Sequence, residues 1–194
     1  MNAPKRLTAD TAAVVVIDIQ DKLLAKIPTA AALVRNAAFV LDVAKLLEIP
    51  VFATEQYPKG LGLTAAEIAR RLPTPIPTKT AFSCCGADTF LEQLEMARRP
   101  NVVLVGMETH VCVAQTAFDL LAAGLNVFVP VDSVAARGAL DHDTALRRLE
   151  LAGAVPTTAE AVAFEWVRDA AHPQFKAISK LVIERSEHLT GEPK

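Results

Sequence analysis

Three residues of different chemistry stand where predicted strands end, and together they could carry out nucleophilic catalysis. Asp18 is the acid in the apolar run VVVIDIQ, Lys79 ends the proline-bounded segment PIPTK, and Cys112 opens a predicted helix after the run NVVLVG. A thiol attacks only as the thiolate, which a helix N-terminus and a nearby ammonium both favour. We therefore expect a lowered pKa for Cys112, with Asp18 accepting the thiol proton and later delivering it to a leaving group.

Each of these residues also has an ordinary structural role open to it. An acid at a strand end often caps a helix, a lysine is usually solvated, and a cysteine often packs as a small core residue. Glu55–Gln56 and Asp132 also follow predicted strands. Taken together, these strand-end residues indicate a catalytic site more strongly than any one of them does alone. The reason is that the carboxyl ends of strands in an open parallel sheet border one crevice.

Cys84 and Cys85 compete with Cys112 for the role of nucleophile. They follow Lys79 in the segment AFSCCG, where the strand-to-helix geometry is weaker, so we expect them to shape or line the pocket. Adjacent cysteines rarely bond to each other, and they lack the two-residue spacing of a redox motif. An odd count of three cysteines then indicates free thiols and a reducing, cytoplasmic location.

Short apolar runs alternate with segments of helical spacing along the chain. This alternation predicts a three-layer α/β fold, a doubly wound parallel sheet of about six strands with helices on both faces. We expect strands over Ala12–Ile19, Pro50–Thr54, Asn101–Gly106, Leu125–Val131 and Ala154–Thr157, with Ile76–Lys79 an edge strand or extended segment. We expect helices over Ala30–Leu47, Leu63–Leu72, Asp88–Arg98 with Asp88 near its cap, Val111–Ala123, Asp141–Ala152, Thr158–Ala171 and Pro173–Glu184.

Composition narrows the classes of function. A length of 194 residues suits one domain, 1–194, and 20 basic against 22 acidic residues give no overall attraction to nucleic acid or anionic membrane. The polar start Met1–Thr11 and the short first apolar run predict neither a signal peptide nor a membrane span. Because there is no CxxC motif and the histidines are scattered, we expect no metal site and no cofactor.

The segments VVVIDIQ, PTKTAFSCCG and LVGMETHVCVAQTAFDLLAAGLNVFVPVDSVAARG resemble the isochorismatase-like cysteine hydrolase superfamily, which includes nicotinamidases and N-carbamoylsarcosine amidohydrolases. The segments TEQYPKGLG, SCCG and EWVRDAAHPQFKAISKLV are similar to the subgroup of isochorismatase domain-containing proteins. The resemblance covers about residues 8–183 and implies the Rossmann-like hydrolase fold of that superfamily.

The resemblance also implies specific roles for residues of this chain. It implies a catalytic triad of Asp18, Lys79 and Cys112, a cis peptide between Met107 and Glu108, and an oxyanion hole formed by the amides of Glu108 and Cys112. Family members are commonly oligomeric, and together with the apolar, alanine-rich helices this predicts a homo-oligomer.

Two features of the sequence refine what the resemblance implies. The stretch Thr54–Leu63 holds neither Asp nor His, so a metal site of the nicotinamidase type is not expected. Isochorismatases proper lack the nucleophilic cysteine, so Cys112 favours acyl-type hydrolysis, such as that of an amide, over cleavage of a vinyl ether.

We therefore predict a metal-independent cysteine hydrolase that acts on a small amide-like molecule through a thioester. Gln20, Tyr57, Phe82 and His110 are the candidate substrate-binding residues, although Phe82 could be a core residue and His110 a surface one. The alternative is a binding protein of the same fold with little hydrolytic activity. A nucleotide-binding Rossmann protein is disfavoured because DIQDKLLAKIP, after the first strand, contains no glycine.

Overall fold

The central strand of the sheet, β1 (Ala12–Ile17), is buried along its whole length, as its unbroken apolar sequence predicts. The structure is a computed structural model that describes the backbone of residues 6–190 and the side chains of residues 6–187. Seven strands of this described part form one sheet in which all the strand pairs are parallel. The ends of the predicted domain, residues 1–5 and 191–194, lie outside the described residues.

The sheet has the order β3-β2-β1-β4-β5-β7, and the short β6 extends the pairing of β4. Six strands make up the main path, as the sequence predicts, and β6 is a seventh strand that the sequence did not indicate. The strands after β1 are β2 (Val51–Gln56), β3 (Thr78–Lys79), β4 (Asn101–Met107), β5 (Asn126–Pro130), β6 (Val134–Ala135) and β7 (Val155–Thr157).

Helices cover both faces of the sheet and give the predicted three layers. Those in the described residues are α1 (Asp21–Leu24), α2 (Ala30–Leu46), α3 (Pro58–Leu61), α4 (Ala66–Ala69), α5 (Phe90–Met96), α6 (Ala114–Ala122), α7 (Ala139–Leu151), α8 (Ala159–Val167) and α9 (Phe175–Thr190). On one face, Val14 and Val16 of β1 pack in a core with α2, α8 and α9. On the other, Val15 and Ile17 pack with α5, α6 and α7.

Several helix boundaries differ from the predicted ones. The expected helix Leu63–Leu72 is reduced to α4, and α1 and α3 are single turns that the apolar spacing did not indicate. The helix predicted from Asp88 begins at Phe90, and the residue before it is Thr89, whose φ of 61° is left-handed. Asp88 directly precedes this N-terminal residue and so lies near the helix start, and the Thr89 side chain caps no backbone amide.

Gly106 allows the two central strands to end close together. It pairs with Ile17 of β1, and a Cβ at this position would lie 2.1 Å from the Ile17 carbonyl oxygen. Its φ of 135° also lies in the region that side chains disfavour. Only glycine fits here, and this close approach brings the residue after β1 beside the segment after β4.

No helix within residues 6–190 is long and apolar enough to cross a membrane. In the same range, no group of three or more His, Cys, Asp or Glu side chains is arranged to hold a metal ion.

Candidate active site

The register of the sheet places the polar residues at one edge. Ile17 pairs with Thr54 and Gly106, and Gln56 pairs with Lys79, so the ends of β1, β2, β3 and β4 meet. Asp18 follows β1 directly with a left-handed φ of 51°, an uncommon conformation for a residue other than glycine. Strained backbone of this kind often marks a functional position.

Asp18 and Lys79 form a fully buried ion pair at this edge. The Nζ of Lys79 donates to Oδ2 of Asp18 at 2.7 Å, and neither side chain is exposed. Lys79 also donates to Oε1 of Gln56 at 2.6 Å and to the carbonyl of Phe82 at 2.9 Å. The buried ammonium is thus held by several acceptors, which offsets part of the cost of removing it from water.

Cys112 lies in a π-helical turn, Thr109–Val113, that precedes α6. The helix predicted over Val111–Ala123 therefore begins with this wider turn, and the Cys112 side chain is nearly buried. The peptide bond between Met107 and Glu108, just before the turn, is cis, at the position that the family resemblance implies.

Burial and the nearby Asp18 carboxylate raise the pKa of the Cys112 thiol well above its usual value. The expectation of a lowered pKa was therefore wrong. The Lys79 ammonium lowers this pKa, but burial, which is the largest effect, and the Asp18 charge together outweigh it. Burial also raises the pKa of the Asp18 carboxyl, against the hydrogen bonds of Lys79, Cys112 and Thr54 that lower it. The raised pKa keeps the Cys112 thiol protonated beside the Asp18 carboxyl.

The turn that carries Cys112 is tied to the start of α7. The Glu108 carboxylate accepts from Nε of Arg137 at 3.0 Å, and Oγ1 of Thr109 lies 2.9 Å from Nδ1 of His142. The side chain of Glu108 is thus engaged with Arg137, and its backbone amide is the part of the residue left for the predicted oxyanion hole.

The candidate substrate-binding residues fall into two groups. Tyr57 and Phe82 are each about half exposed at the ends of β2 and β3, and Tyr57 lines a cavity of about 400 Å³ with Lys79. Gln20, in contrast, is fully buried: Oε1 accepts from the Gln56 amide at 2.7 Å and Nε2 donates to the Gln56 carbonyl at 3.1 Å. Its polar atoms hold the loop after β2.

His110 is partly buried and lies two residues before Cys112. Its Nδ1 is buried and has no hydrogen-bond partner in the described part of the chain. A buried polar atom without a partner is costly and calls for an explanation, such as a bound substrate or water.

Two acids at strand ends serve the fold. The Glu55 carboxylate accepts from the amide and hydroxyl of Thr64 at 2.6 and 2.7 Å. The Asp132 carboxylate accepts from Nη2 of Arg185 at 2.7 Å and from the Ala159 amide at 2.8 Å. Both have the structural role that the sequence left open for strand-end acids.

The three cysteines are free thiols, as the sequence predicts. Cys84 is fully buried, and its Sγ lies 3.2 Å from Oγ1 of Thr54, which in turn donates to Oδ1 of Asp18 at 2.9 Å. Thr54 was not among the predicted site residues. The same strand-end rule that selected Asp18 could have found it, because Thr54 pairs with Ile17 at the carboxyl end of the neighbouring strand.

Comparison with known proteins identifies the family of this chain. Residues 12–161 match the family model of the isochorismatase domain. The chain is 46% identical over 157 residues to isochorismatase domain-containing protein 2 of Bos taurus, covering 79% of this chain and 74% of that protein.

Solved structures extend the similarity to nearly the whole chain. The structure of MAR1 ribonuclease from Caenorhabditis elegans superposes with a TM-score of 0.87 at 38% identity, covering 98% of this chain and 95% of that one. The YcaC gene product of Escherichia coli, an octameric hydrolase of unknown specificity, also has a TM-score of 0.87, at 23% identity and with coverage of 98% and 97%. The latter shows the shared fold alone, whereas the family model and the closer relatives show that the chain belongs to the isochorismatase domain family.

Proposed function

We propose that this protein is a cysteine hydrolase that cleaves a small amide-like substrate through a thioester on Cys112. Membership of the isochorismatase domain family supports a hydrolase-type function. The observation that carries the finer proposal is the buried Asp18–Lys79 ion pair, whose carboxylate interacts with the Cys112 thiol.

The charges of this group suit proton transfer in a dry site. When the proton moves from Cys112 to Asp18, the negative charge moves from carboxylate to thiolate, and Lys79 still balances it. The net charge of the three groups does not change, so the buried site needs no new counter-ion. A raised thiol pKa is compatible with this route, because Asp18 removes the proton as attack proceeds.

The reaction then follows in two steps. The thiolate adds to the carbonyl carbon, the amides of Glu108 and Cys112 stabilise the oxyanion, and the C–N bond breaks as Asp18 returns its proton to the leaving nitrogen. In the second step Asp18 takes a proton from water, the hydroxide adds to the thioester, the C–S bond breaks and the proton returns to Cys112.

Substrate binding is proposed for the groups around the crevice. Tyr57 and Phe82 offer exposed aromatic surface, and the unpartnered Nδ1 of His110 offers one hydrogen bond to a polar substrate atom. The polar atoms of Gln20 are already bonded, so we propose that it shapes the pocket wall. We also propose that the protein is a homo-oligomer and that the reaction uses no metal or cofactor.

A screen of small primary amides and carboxylic esters tests this function, with Cys112→Ala as the control and intact-protein mass spectrometry to trap the acyl-enzyme. Turnover that depends on Cys112, with a covalent adduct on that residue, is expected. The alternative of a binding protein predicts saturable binding without turnover or adduct. Because three similar structures carry the name MAR1 ribonuclease, two of them as putative, single-stranded RNA is included as a substrate. RNA cleavage that persists in Cys112→Ala would contradict the proposal.

A further inference from the structure

Cys84 is a buried thiol that the proposed reaction does not use. Its Sγ lies 3.2 Å from Oγ1 of Thr54, and that oxygen lies 2.9 Å from Oδ1 of Asp18. The three side chains belong to residues that are at most 1% exposed. Two hydrogen bonds therefore link Cys84 to the carboxylate of Asp18 inside the core.

The direction of these hydrogen bonds follows from the chemistry of the groups. An ionised carboxylate only accepts, so the single hydroxyl hydrogen of Thr54 points to Asp18. The Thr54 oxygen then has lone pairs left and accepts from the S–H of Cys84. Burial and the Asp18 charge raise the pKa of the Cys84 thiol to about 12, which keeps the donating proton in place.

The backbone anchors Cys84 to the helix that follows the nucleophile. The amide of Cys84 donates to Oγ1 of Thr116 at 2.9 Å, and Thr116 lies in α6, four residues after Cys112. The contacts from Thr116 through Cys84 and Thr54 thus connect α6, the helix that follows the turn of Cys112, to Asp18.

We propose that Thr54 and Cys84 are positioning residues that hold Oδ1 of Asp18, while Lys79 holds Oδ2, so that the carboxylate faces Cys112 ionised and in one orientation. This inference rests on the proposed function, since it assigns these residues to the base of that reaction. It gives Cys84 a role as a hydrogen-bond donor to Thr54, which differs from the role of a nucleophile or a redox thiol.

The inference predicts a defined shift in the titration of Asp18. The Thr54 hydrogen bond is one of the contacts that lower the pKa of this carboxyl. Removing it raises that pKa, by about one unit if the bond contributes about 1.4 kcal/mol. The acid limb of Cys112 reactivity moves to higher pH by the same amount, because Asp18 must be ionised to accept the thiol proton.

The experiment uses the full chain and does not require the natural substrate. Alkylation of Cys112 by iodoacetamide is followed by mass spectrometry between pH 4 and 9, and the Asp18 carboxyl is titrated by its ¹³C chemical shift, assigned with Asp18→Asn. Thr54→Val removes the hydroxyl at nearly constant shape, and Thr54→Ser restores it. Cys84→Ala removes the S–H donor, Cys84→Ser keeps a donor, and Cys85→Ala is the control for the neighbouring thiol.

Two midpoints are compared, that of the Asp18 titration and that of the acid limb of Cys112 alkylation. We expect Thr54→Val to shift both of them upward by about one pH unit. Cys84→Ala is expected to shift them in the same direction by a smaller amount, whereas Thr54→Ser, Cys84→Ser and Cys85→Ala stay near the parent protein. The inference is overturned if the Asp18 midpoint is the same in Thr54→Val, Cys84→Ala and the parent protein. It is also overturned if Cys84→Ser shifts the midpoint as much as Cys84→Ala, since the role would then be packing.

The two proposals fail in different ways. If the alkylation rate of Cys112 in the parent protein does not rise with the ionisation of Asp18, the proposed reaction fails. The ¹³C titration still decides whether Thr54 and Cys84 act on the Asp18 carboxylate. If Thr54→Val does not fold, the pair Cys84→Ala and Cys84→Ser gives the same decision.

Discussion

The Nζ of Lys79 lies 2.7 Å from Oδ2 of Asp18, and both side chains are fully buried. A buried ion pair is tolerated when further hydrogen bonds satisfy each partner, and Gln56 and Thr54 supply them here. Loss of either partner leaves a charge in the core without compensation. The pair is therefore expected to matter for folding as well as for catalysis.

Replacement of Lys79 by Met should lower the free energy of unfolding by about 3–5 kcal/mol, because Asp18 is left buried and unpaired. Urea unfolding at pH 7 measures this loss. Lys180→Met is a matched control, because Lys180 pairs with Glu184 on the exposed surface and its loss should cost only a small fraction of that amount. A similar loss of unfolding free energy in the two variants would show that the buried pair contributes no more to stability than an exposed pair does.

Gly106→Ala should be far more destabilising than a glycine replacement elsewhere. The new Cβ would meet the Ile17 carbonyl oxygen at 2.1 Å, so β1 and β4 must separate. We expect a loss of about 3 kcal/mol or more in the free energy of unfolding, or failure to fold. Gly124→Ala is the comparison, because Gly124 also has a positive φ but no atom within 4 Å of the added Cβ, and about 1 kcal/mol is expected. Equal losses would refute the close approach as the cause.

The buried Cys84 thiol should make the protein less stable in alkali. Its pKa is about 12 in the folded protein against 9.0 as the ordinary value, so its contribution is full below pH 9 and is lost as the pH rises toward 12. At pH 10.5 the loss amounts to about 2 kcal/mol. Urea unfolding at pH 8 and 10.5 should therefore show a smaller decrease for Cys84→Ser than for the parent protein. Burial also raises the pKa of the half-buried Cys85 thiol, so Cys85→Ser is the comparison for a less buried thiol and should change the decrease less than Cys84→Ser does. A decrease in Cys84→Ser as large as that of the parent protein would contradict the assignment.

Arg185 should be a stability residue without a role in the reaction. It is buried on α9 and donates to Oδ1 of Asn36 at 2.9 Å and to Oδ2 of Asp132 at 2.7 Å, so it joins α9 to α2 and to the turn after β5. We expect Arg185→Met to lower the free energy of unfolding by about 2–3 kcal/mol. The alkylation rate of Cys112 in the folded variant should stay the same. A changed rate with unchanged stability would reverse this assignment.

The parts of the fold that depend on local sequence could be predicted. Short runs rich in β-branched residues, such as AAVVVI and NVVLVG, indicate strands buried on both faces, and β1 and β4 occupy the centre of the sheet. The strand-end rule selected Asp18 and Lys79 because parallel strands end at a common edge. Those two residues are in direct contact.

What depends on exact packing could not be predicted. The left-handed φ of Thr89 displaced the start of α5, and the two-residue strand β6 is too short to show a pattern. The direction of the Cys112 pKa shift depends on burial and on how closely Lys79 is paired with Asp18, which spacing along the chain does not express. The contact between Thr54 and Cys84 joins residues 30 positions apart and needs the folded coordinates.

Alkylation of Cys112 by iodoacetamide at pH 7, in the parent protein and in Asp18→Asn, tests the central claim most directly. The claim predicts that Cys112 reacts about tenfold faster than glutathione and that Asp18→Asn slows it by about a hundredfold, since general-base assistance typically contributes that much. The claim is contradicted if Cys112 reacts no faster than glutathione and at the same rate in both proteins.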